Sequence, residues 1–303
     1  MTLHDTLAGA RARLVAANFS QVEASIDVDL YARTILGWDR VKLLTDLLEA
    51  PPEELEPTLS EWITRRARYE PTAYIVGARE FWGLDFLVTP AVLVPRPETE
   101  FIVEEALLLL RTPSGDAQAR TAAPDQAPGE ASAAGGARVA DIGTGSGCVA
   151  IAVAVDAPTC RVVGSDVSDE ALAVARANAK RHGVAGRVEF ISTSYLDGVD
   201  GMFDLITANP PYVKDGDKPA ISRVTRHEPD VALFGGAEGL RDISGVLNTA
   251  GEKLTPGGWL VMEFGYGQEE DVKGLIDARP ALRLDHVRAD LQGIPRTAIV
   301  QRR

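Results

Sequence analysis

Cysteine, histidine and long apolar runs are scarce in this sequence of 303 residues. Cysteine occurs at Cys148 and Cys160, each beside apolar residues, so a disulfide framework is disfavoured and a reducing compartment is favoured. The longest apolar run, Cys148 to Val155, is less than half of the roughly 20 residues that a membrane-spanning helix requires. Charged residues also interrupt the apolar pattern at the N-terminus, unlike a signal peptide. We therefore expect a cytoplasmic protein without a membrane span.

Positive charge is also in short supply. The chain carries 31 Lys and Arg against 44 Asp and Glu, a formal net charge of −13. Such a surface repels a phosphate backbone, so nucleic acid is a disfavoured partner. At roughly 150 residues per domain, the length favours two domains with ample core.

The first seventy residues have a helical pattern and little glycine. Leu3, Leu7, Ala10 and Leu14 fall on one helical face, and a further helix is predicted around Glu53–Arg68. We expect a small helical-bundle domain over residues 1–78. Such a bundle suits the docking of a substrate, and a packing domain with no ligand is the alternative.

The pattern then changes to a linker and a biased tract. Two short strands around Gly83 predict a hairpin within residues 79–95, and a helix is predicted from Pro97 to Arg111. Residues Thr112–Ala137 lack large apolar side chains, which predicts a flexible insertion. The second domain is expected over residues 96–303.

From Arg138 onward apolar strands alternate with helical segments. This pattern predicts an α/β fold with a mostly parallel sheet covered on both faces and ligands at the carboxyl ends of the strands. The predicted strands are Val139–Ile142, Arg161–Ser165, Val188–Ser192, Phe203–Ala208, Trp259–Phe264, Leu284–Val287 and Ala298–Gln301.

Glycines follow the first of these strands in the run Asp141-Ile-Gly143-Thr-Gly145-Ser-Gly147. Glycine lets a ligand approach the backbone closely, although such a turn alone is a weak signal. Asp166 ends the next strand about 20 residues later, where a carboxylate can accept the hydroxyls of an adenosine ribose. The two features together predict a nucleotide-type cofactor.

The segment Asn209-Pro210-Pro211-Tyr212 follows the fourth strand and is the most specific feature of the chain. Proline has no N–H, so this segment presents carbonyl acceptors with few competing donors, and its torsions are restricted. Tyr212 offers a flat face beside them. This combination suits a planar –NH2 group, either of a carboxamide or of adenine.

Together these motifs resemble the Rossmann-like S-adenosylmethionine-dependent methyltransferases that modify amide or exocyclic amine nitrogens. Further segments resemble the PrmC/HemK family, whose members methylate the side-chain amide nitrogen (N5) of the glutamine in the Gly-Gly-Gln motif of peptide chain release factors. These segments are Pro71–Gly77, Glu80-Phe81, Gly83-Leu84, Pro95–Glu100, Glu228-Pro229, Ala232-Leu233, Gly235-Gly236 and Gly239-Leu240. The resemblance covers nearly the whole chain apart from residues 112–137.

The resemblance implies a seven-stranded, mostly parallel sheet, S-adenosyl-L-methionine as methyl donor, no metal, and release factors as protein substrates. The implied cofactor residues are Asp141, Gly143, Thr144, Gly145, Ser146, Gly147, Asp166, Ser194, Tyr195 and Asn209. The implied substrate residues are Asn209, Pro210, Pro211 and Tyr212, with Asn209, Pro210 and Tyr212 as the catalytic group. Ser194 stands where family members commonly carry an acidic residue. Arg96, Glu98 and Thr99 are further candidates for the border of the pocket.

Three alternatives remain at this level. A ribosomal-protein glutamine methyltransferase would use the same chemistry. An N6-adenine nucleic-acid methyltransferase would use the same loop but needs a basic groove, which the acidic composition disfavours. A non-enzymatic cofactor-binding scaffold would be free to lose the Asn209–Tyr212 segment, which is intact here.

Overall fold

The computed structural model describes residues 1–111 and 136–303. The predicted insertion at 112–137 therefore lies outside the described residues, apart from Gly136 and Ala137. The described chain forms two compact units. One comprises Met1–Ala78 with Ser222–His227, and the other comprises Arg79–Ile221 with Glu228–Arg303.

The first unit is helical, as predicted. Thr2 and Ser20 begin two of its helices with capping boxes, in which the side chain accepts a backbone N–H and an acidic residue reciprocates. Leu7, Leu14 and Ile63 are among the side chains fully buried between the helices. The helices are α1 (Leu3–Ala16), α2 (Gln21–Leu36), α3 (Arg40–Thr45), α4 (Leu55–Ala67) and α5 (Thr72–Val76).

A buried ion pair and a hydrogen bond to it join three of these helices. Arg66 of α4 donates to Asp27 of α2 at 2.7 Å, and each side chain is 9% exposed. The second oxygen of Asp27 accepts the Thr72 hydroxyl at 2.7 Å, and Thr72 in turn contacts the Tyr31 hydroxyl at 3.1 Å. Because both carboxylate oxygens are occupied, the buried charge of Asp27 is fully paired.

The second unit contains a short hairpin followed by a sheet with helices on both faces. The hairpin turns at Gly83, whose φ of +70° suits glycine. Its strands are β1 (Ala78–Phe81) and β2 (Leu84–Leu87). The sheet strands are β3 (Arg138–Ile142), β4 (Arg161–Asp166), β5 (Val188–Ser192), β6 (Phe203–Ala208), β7 (Leu254–Glu263), β8 (Leu282–Ala289) and β9 (Pro295–Arg302). The helices are α6 (Glu100–Arg111), α7 (Cys148–Asp156), α8 (Asp169–Arg181), α9 (Arg241–Lys253) and α10 (Glu269–Asp277).

The strand order is β5-β4-β3-β6-β7-β9-β8 in the seven-stranded sheet of the described chain. The strands from β5 to β7 are parallel, and β9 is antiparallel to both β7 and β8. The order reverses between β3 and β6, because the chain first adds strands on one side of β3 and then crosses to the other. Ligands of such sheets bind at this switch point, outside the carboxyl ends of the strands.

Side chains alternate between two cores on opposite faces of the sheet. Val139 of β3 packs with α6, α7 and α8, whereas its neighbour Ala140 packs with α9 and α10. Helix α7 carries the longest apolar run and is buried along nearly its whole length. None of the described helices is long and apolar enough to cross a membrane.

The predicted α/β architecture with a helical N-terminal domain is confirmed, although several strand boundaries differ. Strands β8 and β9 extend at both ends beyond the predicted Leu284–Val287 and Ala298–Gln301. The strand predicted from Trp259 begins earlier, at Leu254, and ends at Glu263. Pro256 and two glycines interrupt the apolar pattern there. The strand accommodates them through an irregular register opposite Phe203 and Leu205, with Gly257 at a φ of +76°.

Candidate active site

A cavity of about 240 Å³ opens at the switch point, within the second unit. Its lining combines the glycine turn after β3, the end of β4, the loop after β5 and the segment after β6. The predicted residues that line it are Asp141, Gly143, Thr144, Gly145, Ser146, Asp166, Ser194, Tyr195, Asn209, Pro210 and Pro211. Gly147 and Tyr212 are not among the lining residues, although both adjoin residues that are.

The turn between β3 and α7 depends on glycine at alternate positions. Gly143, Gly145 and Gly147 have φ values of +69°, +56° and +80°, a region that residues with a Cβ rarely adopt. A Cβ on Gly143 would meet no atom of the described residues within 4 Å, whereas one on Gly147 would lie 3.0 Å from Ile151 and 3.2 Å from Ala175. The first glycine thus leaves open space, and the last allows α7 to pack closely on α8.

The Asp141 side chain, near the end of β3, holds this turn through two hydrogen bonds. One of its oxygens accepts the Thr144 hydroxyl at 2.7 Å and the other accepts the Thr207 hydroxyl at 2.8 Å. Burial raises the pKa of Asp141 to about 6, against the lowering effect of these hydrogen bonds. Both oxygens are therefore engaged in holding β3, its turn and β6 together.

Asp166 links the turn to the end of β4. Its Oδ2 accepts the Gly145 N–H at 2.9 Å and its Oδ1 accepts the Ser168 N–H at 3.0 Å. A carboxylate oxygen has two lone pairs, so each oxygen retains the capacity to accept one more hydrogen bond. Ser168 caps α8 by accepting the Ala171 N–H.

Ser194 and Tyr195 close the cavity beside the end of β5. Tyr195 has a φ of +51°, and its hydroxyl donates to Asp242 at 3.1 Å. A Cβ on Gly245 would lie 2.2 Å from this ring, so glycine at that position of α9 makes room for it. Burial and the charge of Asp242 raise the pKa of Tyr195 to about 12.

A chain of side-chain hydrogen bonds fixes Asn209. The Asn209 Nδ2 donates to the Thr99 hydroxyl oxygen at 3.0 Å, and the Thr99 hydroxyl donates to Glu263 Oε2 at 2.8 Å. The other oxygen of Glu263 accepts the Tyr212 hydroxyl at 3.0 Å. Thr99 and Glu263 are 3% and 2% exposed, so these bonds lie inside the protein. We call Asn209, Thr99, Glu263 and Tyr212 the amide relay.

Burial determines the electrostatics of the amide relay. It raises the pKa of Glu263 above its usual range, although the hydroxyls of Thr99 and Tyr212 both favour the ionised form. It also raises the pKa of Tyr212, and the adjacent Glu263 charge adds to this shift. The Tyr212 hydroxyl is therefore a hydrogen-bond donor to Glu263 and not a base.

The backbone of the Asn209–Tyr212 segment is held by close contacts on its far side. A Cβ on Gly239 would lie 2.2 Å from the Tyr212 carbonyl oxygen, which demands glycine there. Gln268 donates to the same carbonyl at 3.1 Å, and its own carbonyl accepts the Gly265 N–H at 2.8 Å. The Tyr212 end of this segment is therefore held closely by Gly239 and Gln268.

An ion pair between a half-buried arginine and a buried glutamate lies at the cavity lining. Arg96, which lines the cavity, donates to Glu228, whose side chain is 1% exposed. The second oxygen of Glu228 has no hydrogen-bond partner among the described residues. Of the other two candidate border residues, Thr99 lines the cavity, whereas Glu98 is exposed and is not in its lining.

Comparison with known proteins identifies the relatives of this chain. Residues 5–77 match the family described as PrmC N-terminal domain, and residues 131–228 match the Methyltransferase small domain. A release factor glutamine methyltransferase of Bradyrhizobium diazoefficiens is 39% identical over 94% of this chain and 90% of its own length. The enzyme of the same name from Geobacter sulfurreducens is 41% identical over 84% of this chain and 81% of its own length.

The chain belongs to the release factor glutamine methyltransferase family. This finding confirms the family that the motifs predicted. It also confirms the prediction that the protein is a methyltransferase. A methyltransferase from Pyrococcus furiosus has a similar fold, with a TM-score of 0.51 and 21% identity over 79% of this chain and 98% of that one.

The sequence analysis did not identify Glu263, Gln268 or Asp242 as residues of the site. Glu263 is the single charged residue in the apolar run Trp259–Phe264, and a lone charge at the carboxyl end of a buried strand is a detectable signal. Gln268 gave no comparable signal.

In the described ranges, 1–111 and 136–303, no group of three or more His, Cys, Asp or Glu side chains is arranged to hold a metal ion. Both cysteines are free and buried.

Proposed function

We propose that this protein transfers a methyl group from S-adenosyl-L-methionine to the side-chain amide nitrogen (N5) of the glutamine in the Gly-Gly-Gln motif of peptide chain release factors. The observation that carries the proposal is the orientation of Asn209. Its Nδ2 is engaged by Thr99, so its Oδ1 is left to accept an N–H, in a chain related along most of its length to enzymes named for glutamine methylation.

The cavity suits the proposed cofactor. The glycine turn provides an open cradle at Gly143, and Asp166 retains lone pairs for the two hydroxyls of a ribose. Ser194 and Tyr195 would border the adenine, with Asp141, Thr144, Ser146 and Gly147 shaping the turn. When bound, the cofactor supplies an electrophilic methyl group on a sulfonium sulfur.

The substrate amide would lie on the Asn209–Tyr212 segment. An amide nitrogen is a poor nucleophile because its lone pair is delocalised into the carbonyl. In the proposal, Asn209 Oδ1 and the Pro210 carbonyl oxygen accept its two N–H bonds, favour a more pyramidal nitrogen and stabilise the positive charge that develops on it. Pro211 and Tyr212 keep these acceptors in place, and positioning supplies most of the rate. The proton leaves to solvent after methylation.

The remaining parts of the proposal concern the partner protein. We assign the helical unit, residues 1–78, to docking of the release factor, and residues 79–95 to a linker. Because release factors act in translation termination, the proposed compartment is the cytoplasm. The proposal includes no nucleic-acid partner, because a formal net charge of −13 opposes binding to a phosphate backbone.

The test is mass spectrometry of purified release factors after incubation with this protein and isotopically labelled S-adenosylmethionine. We expect the label on the glutamine of the Gly-Gly-Gln motif, and none on a substrate with Gly-Gly-Ala. Absence of label from an enzyme that binds the cofactor in calorimetry would contradict the proposal. Parallel incubations with ribosomal proteins and with adenine-containing nucleic acid would then identify the substrate class.

A further inference from the structure

The amide relay contains a fixed order of donors and acceptors. Both oxygens of Glu263 act as acceptors: Oε2 accepts the Thr99 hydroxyl and Oε1 accepts the Tyr212 hydroxyl. Thr99 has one hydroxyl proton, which is already directed at Glu263. Its oxygen is therefore limited to accepting from Asn209.

This order determines which end of the Asn209 amide faces Thr99. The nitrogen and oxygen of an asparagine amide have similar shapes, and the hydrogen-bond network decides between them. Here the Thr99 hydroxyl oxygen can only accept a hydrogen bond. The Asn209 Nδ2 must therefore face Thr99, and Oδ1 must face away from it. If Oδ1 faced Thr99 instead, two acceptors would meet without a proton inside the protein, which is costly.

We propose that Glu263 and Thr99 are positioning residues that set the direction of the Asn209 amide and thereby make the site select a primary amide over a carboxylate. The inference rests on the proposed function, and it explains which substrate group the same site selects. A substrate –NH2 group finds an acceptor at Asn209. The isosteric side chain of glutamate would place an acceptor against an acceptor.

The first test is the pair Thr99→Val and Thr99→Ser. Valine keeps the shape of threonine but removes the hydroxyl, so Asn209 becomes free to rotate by half a turn. Serine keeps the hydroxyl and should keep the relay. Two dissociation constants are measured for each enzyme, both with the demethylated cofactor bound. One is for a release factor that carries Gln→Glu in its Gly-Gly-Gln motif, and the other is for the unchanged release factor. The readout is the first constant divided by the second.

We expect the ratio to fall by about tenfold or more in Thr99→Val, since the cost of an unpaired buried group is relieved. The turnover number should fall as well, because the Asn209 Oδ1 faces the substrate in only a fraction of the molecules. The affinity for S-adenosylmethionine should stay near its wild-type value. The thermal midpoint should fall moderately, because Glu263 loses one buried hydrogen bond. Thr99→Ser should retain both the ratio and the turnover number.

Each contrary result has a distinct meaning. A folded Thr99→Val enzyme with an unchanged ratio would overturn the relay while leaving the proposed function intact. An equal loss of affinity for both release factors and the cofactor would assign Thr99 a structural role and also overturn it. If the valine variant does not fold, Thr99→Ala gives the same readout with a smaller side chain. A wild-type enzyme that methylates no release factor would reject the proposed function first, and the inference with it.

Discussion

The glycine turn after β3 and the Asn209–Tyr212 segment after β6 occupy neighbouring strand ends, but they are held in different ways. The turn is held largely by its backbone groups, since Asp166 accepts the N–H of Gly145 and Thr144 donates its N–H to Ser165 at 2.9 Å. The Asp141 side chain adds its hydrogen bonds to Thr144 and Thr207. Asn209 is instead fixed by Thr99, 110 positions away, and Tyr212 by Glu263, 51 positions away. The proposed cofactor turn is thus held mainly by groups about 21 positions away, apart from the longer link from Asp141 to Thr207. The proposed acceptor for the substrate depends on side chains 51 and 110 positions away.

This difference separates two kinds of failure. Damage to the turn should reduce folding stability and cofactor binding together, because backbone geometry serves both. Damage at Asn209 should reduce methyl transfer while the fold and the cofactor site persist. Four substitutions test this division.

The largest effect is expected for Asn209→Ala. Removing one preorganised group that stabilises developing charge typically lowers turnover by about 10²–10³-fold. We expect a loss of this size in single-turnover methyl transfer, with cofactor affinity by calorimetry nearly unchanged. Asn248→Ala is the matched control and should retain activity, because Asn248 is an exposed residue of α9 outside the cavity lining. A comparable loss of cofactor binding in Asn209→Ala would break the proposed division.

Gly147→Ala should damage the turn. A Cβ at this position would lie 3.0 Å from Ile151 and 3.2 Å from Ala175, at a φ of +80°. A non-glycine residue in this region costs about 1–3 kcal/mol of folding free energy. We expect that loss in denaturant unfolding, accompanied by weaker cofactor binding.

Gly9→Ala provides the control for this substitution. Gly9 lies inside α1, and a Cβ there would meet no described atom within 4 Å. Alanine in place of glycine within a helix should stabilise the protein by about 0.5–1 kcal/mol. Equal effects of the two glycine substitutions would contradict the strain assigned to Gly147.

Asp141→Asn should change how stability depends on pH. Burial raises the pKa of Asp141 from 3.8 to about 6, so the folded chain holds this proton at a pH where the unfolded chain has released it. The stability contributed by the protonated form is therefore lost as the pH rises from 3.8 through about 6. Between about pH 5 and pH 7.5 the wild type should lose about 1.4 kcal/mol that the variant keeps. Parallel curves for both proteins in denaturant unfolding would refute this assignment.

Tyr195→Phe should have the smallest effect. It removes the hydrogen bond to Asp242 but leaves the ring against Gly245, so we expect a loss of about 1 kcal/mol in stability. Cofactor affinity should change little. Tyr266→Phe is the control, because Tyr266 is 77% exposed and keeps its ring contact with Arg296. A large loss of cofactor binding in Tyr195→Phe would assign the hydroxyl a direct role.

The features predictable from the sequence are those that depend on neighbouring residues. The strands Val188–Ser192 and Phe203–Ala208 have the predicted bounds, because each apolar run ends at a clear change of pattern. The turn glycines are visible as a motif, since their backbone torsions exclude other residues. The early start of β7 was missed because a proline and two glycines conceal a strand that tolerates them through an irregular register.

The amide relay illustrates what a single sequence does not contain. Thr99 was recognised as a candidate for the pocket border, but its link to Asn209 depends on α6 and β6 being adjacent in space. Glu263 stands out by its charge, yet the sequence does not say which groups it binds. Hydrogen-bond order follows from tertiary contacts, so it becomes visible once the strand order is known.

The position of Glu263 has a consequence for redesigning the substrate range of this protein. Glu263 ends β7 and pairs with Thr297 of β9, and the preceding Met262 pairs with Ala208 of β6. The group that orients Asn209 therefore belongs to a central strand held on both sides. We expect that surface loops could be exchanged to recruit a different partner protein while the preference for a primary amide persisted. Recruitment and chemical selectivity would then be separately adjustable properties of one scaffold.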